Sequence, residues 1–105
     1  MAGKILGQAE ITENTNVVVY TVPTGYSAVC NLNLCNTSQG AIIVHVALAS
    51  GSTPVNKEYI EYGIILAANG VLERTGLVLD AGKNLIVYAN GTGIVANAYG
   101  YEEAA

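Results

Sequence analysis

The stretch Tyr26-Ser27-Ala28-Val29-Cys30-Asn31-Leu32-Asn33-Leu34-Cys35-Asn36 decides the fold. Ala28, Cys30, Leu32 and Leu34 share one parity, and Asn31 and Asn33 share the other. Successive side chains of a strand point to opposite faces. The segment therefore reads as a strand with one apolar face for a core and one amide-rich face for water. A helix of the same length would scatter those leucines and asparagines around its axis.

Outward from this strand the pattern changes. Val17-Val18-Val19, Ile42-Ile43-Val44, Ile64-Ile65-Leu66 and Leu85-Ile86-Val87 are apolar at consecutive positions. Strands built from them carry apolar side chains on both faces. A sandwich needs only one apolar face per sheet, and the other normally meets water. The second faces thus predict a second burial surface, supplied by other copies of the chain or by a larger assembly. Ile43, His45, Ile65 and Ile86 are the candidate residues of that oligomer interface.

Val, Ile, Thr and Tyr are plentiful, and no apolar stripe of helical spacing faces a charged one. Turn residues recur about every 8–14 positions, the spacing of a sandwich or barrel. Eight strands are expected, at about 4–12, 16–21, 26–36, 41–49, 58–66, 71–79, 84–89 and 94–101. Val22-Pro23-Thr24-Gly25, Thr37-Ser38-Gln39-Gly40, Ala67-Ala68-Asn69-Gly70 and Asp80-Ala81-Gly82-Lys83 form turns, and the loop opening at Gly51-Ser52-Thr53-Pro54 is the longest. Gly76 inside the sixth strand suggests a bulge. Asn90-Gly91 suits the type I′ turn of a hairpin. If the strands flanking Thr37–Gly40 also form a hairpin, Cys30 and His45 lie near one another. Residues 102–105 read as a short, solvated acidic tail, and residues 1–12 as a weak, extended start. The predicted architecture is a single all-β domain over 1–105: an eight-stranded antiparallel β-sandwich of jelly-roll or Greek-key type.

Composition narrows the function. Charged residues are only 11% of the 105 and hydrophobic ones 51%, against about 25% charged in an average soluble domain. The exposed surface must be neutral or covered. The net charge is −4, and Lys4, Lys57, Arg74 and Lys83 are scattered. Nucleic acid needs several cationic phosphate contacts, and anionic membranes repel the same sign of charge. Neither is an expected partner. The first ten residues hold no apolar run of signal-peptide length. The longest apolar stretch, Ala41–Ala49, is short of the ~20 residues of a membrane-spanning helix. Synthesis in a cytoplasm without export is the expectation.

The chain is poor in reactive groups. Its one histidine, His45, sits in an apolar strand; Cys30 or Cys35 would neighbour it across a hairpin, but a strand-buried pair offers no cleft for a substrate. Glu58 and Glu61, three apart, fall on opposite faces of a strand; Glu10 and Glu13 lie in or near the first strand, and Asp80 is in a turn. No set of oxygen ligands suits calcium, and Cys30-x4-Cys35 without imidazole partners is a poor metal motif. Along one strand the two thiols lie about 16 Å apart at ~3.3 Å per residue, beyond the ~7 Å α-carbon limit for a disulfide. Two thiols serving as small apolar groups are the first reading, and an intermolecular disulfide at Cys30 or Cys35 is the second. Asn36-Thr37-Ser38 and Asn90-Gly91-Thr92 match the glycosylation triplet but read as turn sequences. No catalytic, cofactor-binding or metal-ligating set is expected, and the protein is not expected to be an enzyme.

Several motifs, in order, carry a resemblance: Leu6-Gly7-Gln8, Val19-Tyr20-Thr21-Val22-Pro23-Thr24-Gly25, Cys35-Asn36-Thr37-Ser38, Asn56-Lys57-Glu58-Tyr59, Thr75-Gly76-Leu77-Val78-Leu79-Asp80-Ala81-Gly82 and Leu85-Ile86-Val87-Tyr88-Ala89. Together they resemble small all-β virion proteins of tailed bacteriophages. The resemblance implies a virion structural protein, first a capsid decoration protein. It would pair with itself as a trimer or higher ring and with major capsid or tail proteins. It lends no catalytic residues. The alternative is a tail, neck, baseplate or fibre accessory protein, including a lectin-like module that binds the host surface. Tyrosines could stack on sugars there, although the chain lacks Trp and an acidic metal cluster.

Overall fold

The computed structural model describes residues 2–105. Eight strands form: β1 (Lys4–Glu10), β2 (Val17–Thr21), β3 (Tyr26–Asn36), β4 (Ile42–Ala49), β5 (Tyr59–Leu66), β6 (Val71–Leu79), β7 (Asn84–Ala89) and β8 (Ile94–Ala104). A single 3-10 turn, Asn56–Glu58, precedes β5. No helix among the described residues is long and apolar enough to cross a membrane.

Two antiparallel four-stranded sheets stack, in the orders β1-β8-β3-β6 and β2-β7-β4-β5. All connections but β4–β5 pass from one sheet to the other, which gives the jelly-roll arrangement of paired Greek keys. The short axis of the molecule is 18 Å, the thickness of two sheets ~10 Å apart with their outer side chains.

The alternation in Tyr26–Asn36 is realised residue by residue. Ala28, Cys30, Leu32, Leu34 and Asn36 are buried in β3, and the intervening residues are not. Ala28, Cys30, Leu32 and Leu34 share one core with Val44, Val46, Leu85 and Val87 of the facing sheet. The four doubly apolar segments belong to β2, β4, β5 and β7, so together they make up one sheet. Their central residues Val18, Ile43, Ile65 and Ile86 point outward.

The two inner pairings, β3–β8 and β4–β7, keep an unbroken register. All four outer pairings are bulged, and in each the extra residue lies on the edge strand. Bulges twist an edge away from flat pairing and so oppose strand-by-strand addition of another chain. Gly76 marks the bulge of β6 as expected, with φ +67 and its N–H donated to Asn31 Oδ1 at 3.1 Å. Gly7 at the β1 bulge has no room for a side chain, because a Cβ there would meet the Val19 carbonyl oxygen.

Three expectations need correction. The turns at Thr37–Gly40 and Asn90–Gly93 do not close hairpins, since β3 and β4, and likewise β7 and β8, lie in different sheets. Turn residues specify a reversal, but not whether the returning strand pairs with its predecessor or crosses the core. Cys30 and His45 are consequently not cross-strand neighbours. The acidic tail is strand: β8 continues to Ala104 against Tyr26 of β3, and Ala105 N–H donates to the Gly25 carbonyl at 2.9 Å. Glu102 turns inward at the mouth of the sandwich. It accepts the Tyr20 hydroxyl at 2.5 Å and pairs with Lys4 Nζ at 2.9 Å.

Candidate functional site

The outer face of β2-β7-β4-β5 holds most of the unusual features. Antiparallel register sets His45 of β4 beside Tyr88 of β7, Ala47 beside Ile86, and Ile43 beside Ile65 of β5. On the β5 side the ladder skips: Val44 pairs with Ile64 and Val46 with Glu61. Two residues, Tyr62 and Gly63, therefore oppose His45. Gly63 takes φ +68, and a Cβ there would meet nothing within 4 Å. Glycine serves its backbone conformation at this position, not a lack of space.

The bulge aims two groups at the histidine. The Gly63 N–H donates to His45 Nδ1 at 2.8 Å, so Nδ1 is the acceptor and the neutral ring carries its proton on Nε2. Tyr62 lies parallel to the imidazole, with centroids 4.1 Å apart and planes 5° apart. Tyr88 stacks on the other side at 5.1 Å and 14°. Tyr59 meets the His45 and Tyr62 rings edge-on at 5.9 and 4.9 Å. Both geometries suit the ring quadrupole. The Tyr88 hydroxyl reaches Asn14 Oδ1 at 3.0 Å and anchors the column at the β2 side. Beyond Tyr62 a cleft of about 490 Å³ is lined by Asn56, Tyr59 and Tyr62. The loop below it is closed by Glu58, whose carboxylate accepts the Val55 and Ser50 N–H groups and lies below its ordinary pKa through those bonds.

The two outer faces differ in charge. No Asp, Glu, Lys or Arg points outward from β2, β7, β4 or β5. Tyr62 is 67% exposed, Ile65 69%, Val18 40% and Ile43 37%. On the opposite face a polar row, Gln8–Asn97–Asn33–Glu73, crosses all four strands. Gln8 donates to Asn97 at 2.6 Å and the Tyr99 hydroxyl to Glu73 at 3.2 Å. That bond to a carboxylate holds the Tyr99 phenol above its ordinary pKa. Glu10 and Glu103 add to the acidity of this face.

All four residues named from the sequence share the uncharged face, but with unequal access. Ile43 and Ile65 are exposed and His45 is half-buried. Ile86 is only 1% exposed, packed with Ala47, Ala49 and Tyr59 in a small second core. Ile86 is therefore fold, not free surface. Both cysteines are free. Cys30 lies in the core, where burial raises its thiol pKa, and Cys35 is half-buried on the opposite outer face. Among the described residues no three His, Cys, Asp or Glu side chains converge on a metal-sized site. Sequence reasoning missed Tyr59, Tyr62, Gly63 and Tyr88. A glycine within a strand, at Gly63 between Tyr62 and Ile64, is the signal that could have pointed to a bulge there.

No protein-family model matches the chain, and no curated protein sequence matches it.

Proposed function

We propose that this chain is a non-enzymatic structural protein of a tailed-phage virion, acting as an oligomeric capsid decoration protein. It would be made in the host cytoplasm and work in the particle, against copies of itself in a trimer or ring and against major capsid or tail proteins. The observation that carries the reading is the uncharged face with Val18, Ile43 and Ile65 exposed. An apolar face of this kind calls for a partner. Two copies of a chain of charge −4 can meet there without opposing like charges. The bulged edges favour association through this face over strand addition. Its mechanical role would be to bridge shell subunits and bury apolar surface between them against internal pressure.

Light scattering coupled to size exclusion tests the first half: a trimer or larger ring supports the reading, and a monomer at all concentrations removes self-association. Gold labelling of purified particles with an antibody to the chain tests the second. Label over the shell supports decoration, label at the tail or neck moves the protein to an accessory role, and unlabelled particles refute virion membership.

A further inference from the structure

The aromatic column of the uncharged face ends in an open ring. Its centroid spacings of 4.1 and 5.1 Å bracket the ~4.8 Å between neighbouring strands. The rings thus stand upright on β7, β4 and β5, one per strand. His45 covers one face of Tyr62. Because β5 is the edge strand, no further strand covers the other, which looks off the side of the sheet into the Asn56–Tyr59–Tyr62 cleft.

This platform is pre-set. Tyr62 is held by stacking on His45, His45 by the Gly63 N–H, and Tyr59 fixes both from the side. A ligand stacking on Tyr62 would lose little freedom in the protein. The polar ends around the cleft are unspent. Among the described residues, neither the Asn56 amide nor the Tyr59 and Tyr62 hydroxyls form a side-chain hydrogen bond, whereas the Glu58 carboxylate is committed to the backbone of its own loop.

The lining chooses the ligand chemistry. It is uncharged, so it has nothing to hold a phosphate or other ion, and the chain's net charge of −4 disfavours anions generally. It combines a flat, electron-rich ring face with one amide, which both donates and accepts, and two hydroxyls. The matching ligand is neutral, rich in neighbouring hydroxyls, and has one flat face of C–H groups. We infer that the Tyr62–Asn56 cleft is a binding site for a neutral pyranose unit of a polysaccharide, stacked on the outer face of the Tyr62 ring. The inference does not rest on the virion reading.

Saturation-transfer NMR on the native protein tests it, with methyl glucopyranoside, methyl galactopyranoside, N-acetylglucosamine and the trisaccharides maltotriose, cellotriose and chitotriose as probes. The expected result is transfer to the ring protons of at least one probe, concentrated on one sugar face. Tyr62→Ala should weaken it about tenfold, as loss of one aromatic stack does, while Tyr62→Phe retains the stack and Asn56→Ala weakens binding with the column intact. Amide spectra of each variant establish that it is folded. No transfer to any probe would overturn the site, as would a folded Tyr62→Ala variant that binds as the native protein does, or binding of choline in place of every sugar.

Discussion

The side-chain amide of Asn36, at the end of β3 in one sheet, donates to the carbonyl of Leu66, at the end of β5 in the other, at 2.9 Å. Asn36 is fully buried and spends its whole capacity. Nδ2 also donates to the Gly40 carbonyl at 2.9 Å, and Oδ1 accepts the Ser38 N–H and hydroxyl at 2.9 and 2.7 Å. Its backbone bonds with Asn69 and Gly70 tie in the β5–β6 turn as well. One residue thus fixes two of the crossings that make the jelly roll. Asn36→Ala leaves the buried Leu66 carbonyl without its donor, at about 1–3 kcal/mol, and opens the part-buried bonds to Gly40 and Ser38. Urea unfolding should show a loss of about 3 kcal/mol with an unchanged m-value. A loss below about 1 kcal/mol would mean that water replaces the amide.

Exposure separates the three isoleucines of the uncharged face. Ile65→Asp and Ile43→Asp place a charge on surface that is open in the single chain, so the domain should stay folded and the assembled mass should fall to that of the monomer. Ile86→Ala removes side-chain volume from a packed site and should cost about 2–5 kcal/mol of stability. Circular dichroism with light scattering distinguishes the two outcomes. Unfolding of Ile65→Asp would place that residue in the core.

Gly63→Ala forces a Cβ onto a left-handed backbone where glycine adds no strain. The cost is about 1–2 kcal/mol, with a matching fall in the melting midpoint. If the bulge relaxes, the His45 bond opens and the tyrosine near-ultraviolet dichroism from the stacked column weakens. His45→Ala should lose the same dichroism without disturbing the Gly63 backbone. Unchanged dichroism in both variants would separate the column from the bulge.

The mouth of the sandwich titrates. The Tyr20 hydroxyl and then Lys4 hold Glu102 below its ordinary pKa of 4.5. Tyr20 is raised above its own ordinary value, first by burial and then by the bond to Glu102. A carboxylate depressed in the folded state stabilises fully above its unfolded pKa, and that contribution is lost as pH falls through the folded value. The melting midpoint should therefore drop as the solution is acidified below about pH 4.5. Glu102→Gln should lower the neutral-pH midpoint and flatten the acid limb. An acid limb identical in Glu102→Gln would assign the loss to other carboxylates, Glu58 first.

Much of this was legible in the chain. Period-two alternation from Ala28 to Leu34 is local information, because a strand's geometry puts every second side chain on one side whatever it packs against. The strand positions, the Gly76 bulge and the single all-β domain follow from such local rules. So does the burden of apolar second faces at Val18, Ile43 and Ile65. The pairing partners of β4 and β8 are not local. Thr37–Gly40 and Asn90–Gly93 are good reversals in either a hairpin or a crossover, and only the competition for one shared core sends the next strand to the opposite sheet.

The candidate site divides the same way. His45 and the isoleucines stood out because a polar ring among apolar residues, or an apolar residue on a second face, is visible in one segment. The aromatic column needed three strands in register and a bulge that sets Tyr62 against His45. Tyr59, Tyr62 and Tyr88 are up to 29 residues apart, and no periodicity within a strand connects them. Local chemistry determined which residues were strand and which faces were apolar. Tertiary pairing alone decided that the four doubly apolar segments form one sheet, that Ile86 is covered while Ile65 is open, and that Glu102 turns inward, because burial is a property of what lies opposite a side chain and not of the side chain itself.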